Sequence, residues 1–230
     1  MPNTNWDDKE LAKAIDRGTK VSYLISHIKK PLDEFRTLLL AGRNLFPSEI
    51  EDVVLLVVFT YVDLLGYLYK GKSFSKNAVQ FLRDYLGRVD KRYEEVGGLL
   101  YDAFRHGYVH LATPKRIQLR GGEIVDFQFS RAKERQDHLK VTKTQEIQRT
   151  GERVVIYRLS VDVDLLYEDL LSAIDIYADD IRHNPTLSDT FWKAFEKRRK
   201  PERAKEAELL NKPYIQDSDF DFVREQISNL

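Results

Sequence analysis

Hydrophobic positions follow three regimes along the chain. Up to about residue 113 they recur at helical spacing, between 117 and 163 they alternate, and from 164 helical spacing returns. That order predicts an α+β protein, mainly helical, with a small antiparallel β insertion. A helical bundle is expected over residues 1–115, a β region over 116–163 and C-terminal helices over 164–230, packed with the bundle as one unit.

Within the bundle, a first helix is expected from near Asp7 to Arg17, with Trp6, Leu11, Ala14 and Ile15 on its buried side and Gly18 as its stop. Val21 to Lys30 forms a second segment closed by Pro31, and the helical pattern resumes over Leu32 to Leu40 and ends near Gly42. Pro47-Ser-Glu-Ile-Glu51 opens the strongest helix, because proline fits a first turn and early glutamates favour the positive end of the helix dipole. Its interior, Val53 to Tyr69, is apolar almost all round, which places it in the middle of a bundle. Asn77 to Leu86 and Tyr93 to Val109 read as two further helices, the second loosened by Gly97-Gly98.

In the alternating region, Ile117 and Leu119, then Gly121-Gly122, then Val125, Phe127 and Phe129 predict a hairpin with a glycine turn. His138 to Thr144 is a weaker strand. Val155 to Val163 is a clear one, with Val155, Tyr157, Leu159, Val161 and Val163 on one face. Asp164 is the expected cap of a helix through Leu166, Leu170, Ile174, Tyr177 and Ile181, and Ser188 of one carrying Phe191, Trp192 and Phe195.

Composition narrows the function classes. Lys+Arg and Asp+Glu both number 37 in 230 residues, so any attraction to nucleic acid or membrane must be local. Cysteine is absent, which excludes disulfides and thiolate metal sites. The N-terminus lacks the basic start and apolar core of a signal peptide, and no apolar run is expected to reach membrane-spanning length, so the default address is cytoplasmic and no membrane partner is expected. Charge is nevertheless segregated. Residues 111–158 hold 11 Lys/Arg against 6 Asp/Glu, whereas residues 213–230 set Arg224 against Asp217, Asp219, Asp221 and Glu225. Lys193 to Lys200 is a second basic run. Such runs fit RNA phosphates, and they fit a solvated face equally well.

Two motifs bear on chemistry. Gly66-Tyr-Leu-Tyr-Lys-Gly-Lys-Ser73 matches the letters of a phosphate-binding loop, but a long helix precedes it where that loop needs a strand, and bulky residues stand where it needs small ones. The second motif is Leu99-Leu-Tyr-Asp-Ala-Phe-Arg-His-Gly-Tyr-Val-His-Leu-Ala-Thr-Pro-Lys115, which sets two histidines and an arginine into an apolar helix. At 100° per residue Asp102, His106 and His110 share a stripe with Arg105 one residue off it. Asp63, a lone carboxylate in an apolar helix, needs a partner, and Arg105 or His106 can supply one; the pair serves either the fold or catalysis.

Arg105-His-Gly-Tyr-Val-His110 reads R-x-x-x-x-H and resembles the signature of the HEPN superfamily. The helix ending Tyr-Val-Asp-Leu-Leu-Gly66, Phe81-Leu-Arg-Asp-Tyr85 and Pro114-Lys115 extend the likeness to an uncharacterised bacterial HEPN-like group, over roughly residues 47 to 115. The resemblance implies a HEPN-like bundle and metal-independent RNA cleavage by attack of a ribose 2′-OH on the adjacent phosphate. His110 would move the proton, Arg105 would stabilise phosphate charge, and His106 would stand where the family usually carries a polar residue. It also implies a homodimer that joins two motifs. Asp63 and Asp102 are the expected supporting residues, and Lys115, Arg116 and Arg120 the expected RNA contacts. No cofactor or metal is expected, and a protein partner or antitoxin is not identified by the sequence. The tyrosine that follows the motif histidine in some toxin members is missing, since Leu111-Ala-Thr113 follows. Two other readings stay open. Arg105, Asp63 and Asp102 can form a structural polar network in a non-catalytic interaction or scaffold protein. Asp102, His106 and His110 with Asp63 can ligate a metal, although Gly107 stands where a zinc protease helix carries its glutamate base.

Overall fold

The first helix runs through Gly18 and past Pro31. In the computed structural model α1 spans Asp8–Leu24, a π-helical turn Ile25–Lys29 follows, and α2 continues over Lys30–Gly42. The structure describes residues 8–42, 50–107, 113–130, 134–147, 151, 153–199, 216, 218, 220, 221 and 224. Trp6 and Pro47 lie outside the described residues.

Packing decides both departures from the expected breaks. Val21 and Leu24 are buried and α1 lies against a long later helix, so tertiary contacts override the weak helix propensity of Gly18. A proline lacks the amide hydrogen and crowds the carbonyl four residues back. The wide turn ahead of Pro31 accommodates this, with the Lys30 N–H donating to the Ile25 carbonyl five residues earlier.

Helix α3, Ile50–Lys70, is the centre of the bundle, with Val54, Leu55, Val58, Phe59, Val62, Leu65 and Leu68 buried. Its stretch Glu51–Lys70 is long and apolar enough to cross a membrane by length and composition, which corrects the expectation that no run reaches that length. Helix α4, Ser75–Phe81, lies across it at Gly66. A Cβ there would sit 2.5 Å from the Ala78 nitrogen, so Gly66 lets two backbones meet, and its place in the loop-like motif is a helix crossing. A π-helical turn Leu82–Leu86, α5 (Gly87–Val89), α6 (Arg92–Leu100) and a further π-helical turn Tyr101–His106 complete the bundle's first half.

Four strands follow: β1 Ile117–Gln118, β2 Ile124–Ser130, β3 Lys140–Ile147 and β4 Arg153–Asp162. Their order is β1-β2-β4-β3. The expected hairpin joins β1 and β2, with Ile117 opposite Val125. The sheet as a whole is mixed, not antiparallel: β3 and β4 are antiparallel, but β2 and β4 run parallel, with Phe127 opposite Leu159. Leu159, Val161 and Val163 are buried as expected, while Ile156 is buried and Val155 only half-buried, so the central strand is covered on both faces at its start.

Two caps differ from expectation. Asp162, not Asp164, caps α7 (Val163–His183), its carboxylate accepting the Leu165 N–H at 2.8 Å. Asn184 caps α8 (Pro185–Arg199) by accepting the Leu187 N–H at 3.1 Å; Pro185 takes the first helical position and Ser188 lies inside the helix. Phe104 joins sheet and bundle in one core: its ring stacks on Phe59 at 5.3 Å and meets the edge of Phe127 at 5.3 Å.

The protein is therefore mainly helical, with a small four-stranded mixed sheet. Residues Met1–Phe195 form one compact unit and Glu196–Leu230 a second. Of the acidic C-terminal run, Asp221 pairs with Arg224 at 2.6 Å, and Asp217, Asp219 and Glu225 lie outside the described residues.

Candidate functional site

Asp63 reaches the edge of the bundle from the middle of α3, and the π-helical turn Tyr101–His106 packs against that helix. Tyr101 and Arg105, four residues apart on this turn, both bind Asp63. The tyrosine hydroxyl donates to one carboxylate oxygen at 2.5 Å and the Arg105 Nε–H donates to the other. Burial first, and then the Asp63 hydrogen bond, push the Tyr101 hydroxyl up to about 12, so it stays protonated as a donor.

Asp63 and Arg105 are each about a third exposed, at 31% and 32% of their side chains. With Tyr101, Ser73, Phe74 and Ser75 they line a cleft of about 340 Å³. The turn that follows α3 thus brings two hydroxyls and an aromatic ring beside the arginine. These residues and Tyr101 escaped the sequence reading. Nothing in the letters of Lys70 to Ser75 says which neighbour the segment faces.

Of the expected stripe of acid, base and cation, the described side chains are Asp102 and Arg105, and they turn to different partners. The 100° spacing does not hold through a π-helical turn. Asp102 instead pairs with Lys115 at 3.3 Å, both near half exposed. Arg116 pairs with Asp126 at 2.9 Å, and Arg120 is exposed in the hairpin turn. Two of the three expected RNA contacts are thus already matched by carboxylates. His106 closes the π-helical turn with its backbone, its side chain lying outside the described part of the structure, and His110 lies outside the described residues.

Gly107 sits against the chain's own return. A Cβ there would come within 2.5 Å of the Thr113 carbonyl oxygen, and the Lys115 N–H donates to the Ala103 carbonyl at 3.1 Å. The glycine therefore admits residues 113–115 rather than a phosphate or a second helix. Among the described residues no cluster of three or more His, Asp or Glu side chains is placed to hold a metal ion, and Asp63 and Asp102 face different cations.

A second polar cluster, unforeseen in the sequence, is closed to solvent. Tyr93 on α6, His138 before β3 and Asp169 on α7 are 0%, 0% and 1% exposed. The Asp162 N–H donates to His138 Nδ1 at 3.0 Å, which leaves the imidazole proton on Nε2. That N–H faces the Tyr93 hydroxyl oxygen at 2.8 Å, and the hydroxyl donates onward to Asp169 at 2.9 Å. Arg135 closes the chain with two bonds to the same carboxylate at 2.5 Å.

Arg92 and Asp90 hold this cluster from outside. Arg92 donates to the His138 and Arg135 carbonyls and pairs with Asp90, whose carboxyl is held below the usual range chiefly by that arginine. Burial lowers His138 to about 4, so it is neutral in the folded protein near neutrality. Leu139 beside it takes a left-handed backbone, φ +54°, fixed by its own burial and by its N–H on the Ser160 carbonyl at 2.8 Å. Every polar group of this chain of bonds has its partner, which is the mark of a device that fixes the fold.

Compared with protein-family models, curated proteins and solved structures, the chain gives no match.

Proposed function

We propose that the protein is a HEPN-like, metal-independent endoribonuclease acting at the Arg105 cleft. The observation that carries this reading is the way Arg105 is held. Asp63 takes its Nε–H, and its two terminal amino groups make no hydrogen bond to any other described residue, at the wall of an open cleft. A planar cation anchored on one edge presents the other to two phosphate oxygens, the geometry suited to a phosphodiester gaining charge in a transition state. Ser73 and Ser75 add hydroxyl donors to the same wall.

In the reading taken from the R-x-x-x-x-H resemblance, His110 moves the proton between the 2′-OH and the leaving 5′-oxygen, His106 orients it or the phosphate, and a second copy of the chain completes the cleft. Lys115, Arg116 and Arg120 would then draw the RNA strand on exchanging their carboxylate partners for phosphates.

The test is cleavage of mixed labelled RNAs in EDTA. Arg105→Ala and His110→Ala should each lower cleavage by about a hundredfold or more while remaining folded. Undiminished cleavage by either variant would overturn the assignment.

One observation favours a second reading, in which the site is a structural network of a non-catalytic helical protein: Tyr101 and Arg105 together tie the motif helix to α3 through Asp63. Under it Arg105→Ala would destabilise the fold strongly and the folded wild type would not cut RNA.

A further inference from the structure

Helix α1 and the first turns of α8 enclose a second cleft, of about 460 Å³, lined by Lys13, Asp16, Arg17, Lys20, Ser188 and Asp189 with Pro185 and sharing no lining residue with the Arg105 cleft. Lys20 pins its two walls together. Its ammonium lies 2.8 Å from Asp16 on its own helix and 3.1 Å from Asp189 on α8, and the side chain is only 7% exposed. Both carboxylates of the cleft are thereby engaged, whereas two of its donors are not. The Nε–H of Arg17 is buried without an acceptor, and the hydroxyl of Ser188, a residue 1% exposed, is buried without a partner.

Buried donors left without acceptors are costly, and native proteins seldom keep them unless something else supplies the acceptor. Here the two residues that carry them line one cavity, together with the exposed Lys13 and the positive end of a 15-residue helix. A group that only accepts hydrogen bonds and carries negative charge would satisfy all four features. The lining's charged groups, three cations against two carboxylates, leave an excess of one positive charge. The volume falls within the range of small-molecule sites, and six of the seven lining residues are polar or charged, which suits an oxyanion carried on a small organic body.

We infer that this cleft binds the phosphate group of a small phosphomonoester, with Arg17 and Lys13 as the cationic contacts and the Ser188 hydroxyl as a buried donor. The inference is independent of the ribonuclease reading. The Tyr93–His138–Asp169 cluster, by contrast, has no unfilled donor and offers nothing to a ligand.

The experiment is calorimetric titration of the full chain, at low ionic strength, with inorganic phosphate and separately with glycerol 3-phosphate. Saturable binding of either is expected, tighter for the ester if the remainder of the cavity is used. Arg17→Gln should weaken it by roughly tenfold to a hundredfold, as for the loss of a charge-assisted bond. Lys13→Gln, at an exposed position that folding does not require, should weaken it by about threefold or more through lost charge. Ser188→Ala carries the sharpest signature: about fivefold weaker binding, yet a melting temperature no lower than wild type, since the hydroxyl it removes has no partner in the free protein. Absence of saturable binding, or binding unchanged in both Arg17→Gln and Lys13→Gln, would overturn the inference.

Discussion

Asp63 and Asp169 are both carboxylates on long helices, and each is met by one tyrosine hydroxyl and one arginine. Asp63 takes Tyr101 and Arg105; Asp169 takes Tyr93 and Arg135. The chemistry is the same and the setting is not. Asp169 is sealed, with His138 and the capped start of α7 attached to its network, while Asp63 stands a third exposed at a cleft. A sealed carboxylate bound on every side holds α6, the sheet and α7 in one arrangement. The arginines do not make the difference, since Arg135 is 44% exposed and Arg105 32%; an open carboxylate does, because its ion pair contributes little to stability and can serve a ligand.

Stability measurements divide the two. Asp169→Ala should have the largest effect, about 3–5 kcal/mol in urea unfolding, because Arg135 and Tyr93 both lose their common partner. A loss below about 1 kcal/mol would mean that the sealed cluster does not hold the fold. Acid titration is next. His138 binds a proton more weakly when folded, at about 4, than when unfolded, near 6.5. The unfolded chain therefore takes up more protons between those values, and its stabilising contribution, complete above pH 6.5, is lost as pH falls towards 4, by on the order of 2–3 kcal/mol. His138→Gln should flatten that part of the pH profile; an equally steep profile in the variant would assign the loss to other groups.

Tyr93→Phe should cost about 1–3 kcal/mol, since it leaves the imidazole N–H and a carboxylate lone pair unfilled in a dry site. The corresponding change at the open site, Arg105→Ala, should cost no more than about 1 kcal/mol. If urea unfolding gave the two variants equal losses, the contrast between the clusters would fail. Smallest is Tyr177→Phe. The Tyr177 hydroxyl is buried among Tyr69, Phe81 and Tyr85 without a partner, so its removal should leave stability unchanged or raise it by about 1 kcal/mol in the same assay.

The difference between the clusters also explains what could be read in the letters. Asp63 announced itself as a single charge inside an apolar helix, and its pairing with Arg105 followed from the need to neutralise it. Asp169 sits among acidic and polar neighbours, Glu168 and Ser172, and its partners are 76 and 34 residues away, so no local pattern marks it. Alternation in β2 and β4 told which residues share a face but not which strand lies alongside, so the parallel pairing was invisible while the Gly121-Gly122 hairpin was not. Gly18 and Pro31 suggested breaks because propensity counts only the chain's own backbone. Burial of Val21 and Leu24 and one π-helical turn carried the helix past both. The π-helical turn over Tyr101–His106 likewise departs from the regular α-helix that the stripe spacing presumes.

The most direct test of the claim that the open cluster acts and the sealed one supports is RNA cleavage in EDTA. Wild type, Arg105→Ala and Tyr93→Phe would be compared at a temperature where urea unfolding shows all three folded. Cleavage by the wild type, retained in Tyr93→Phe and lost in Arg105→Ala, is the expected result. Cleavage that survives in Arg105→Ala, or is absent from the wild type, would contradict it.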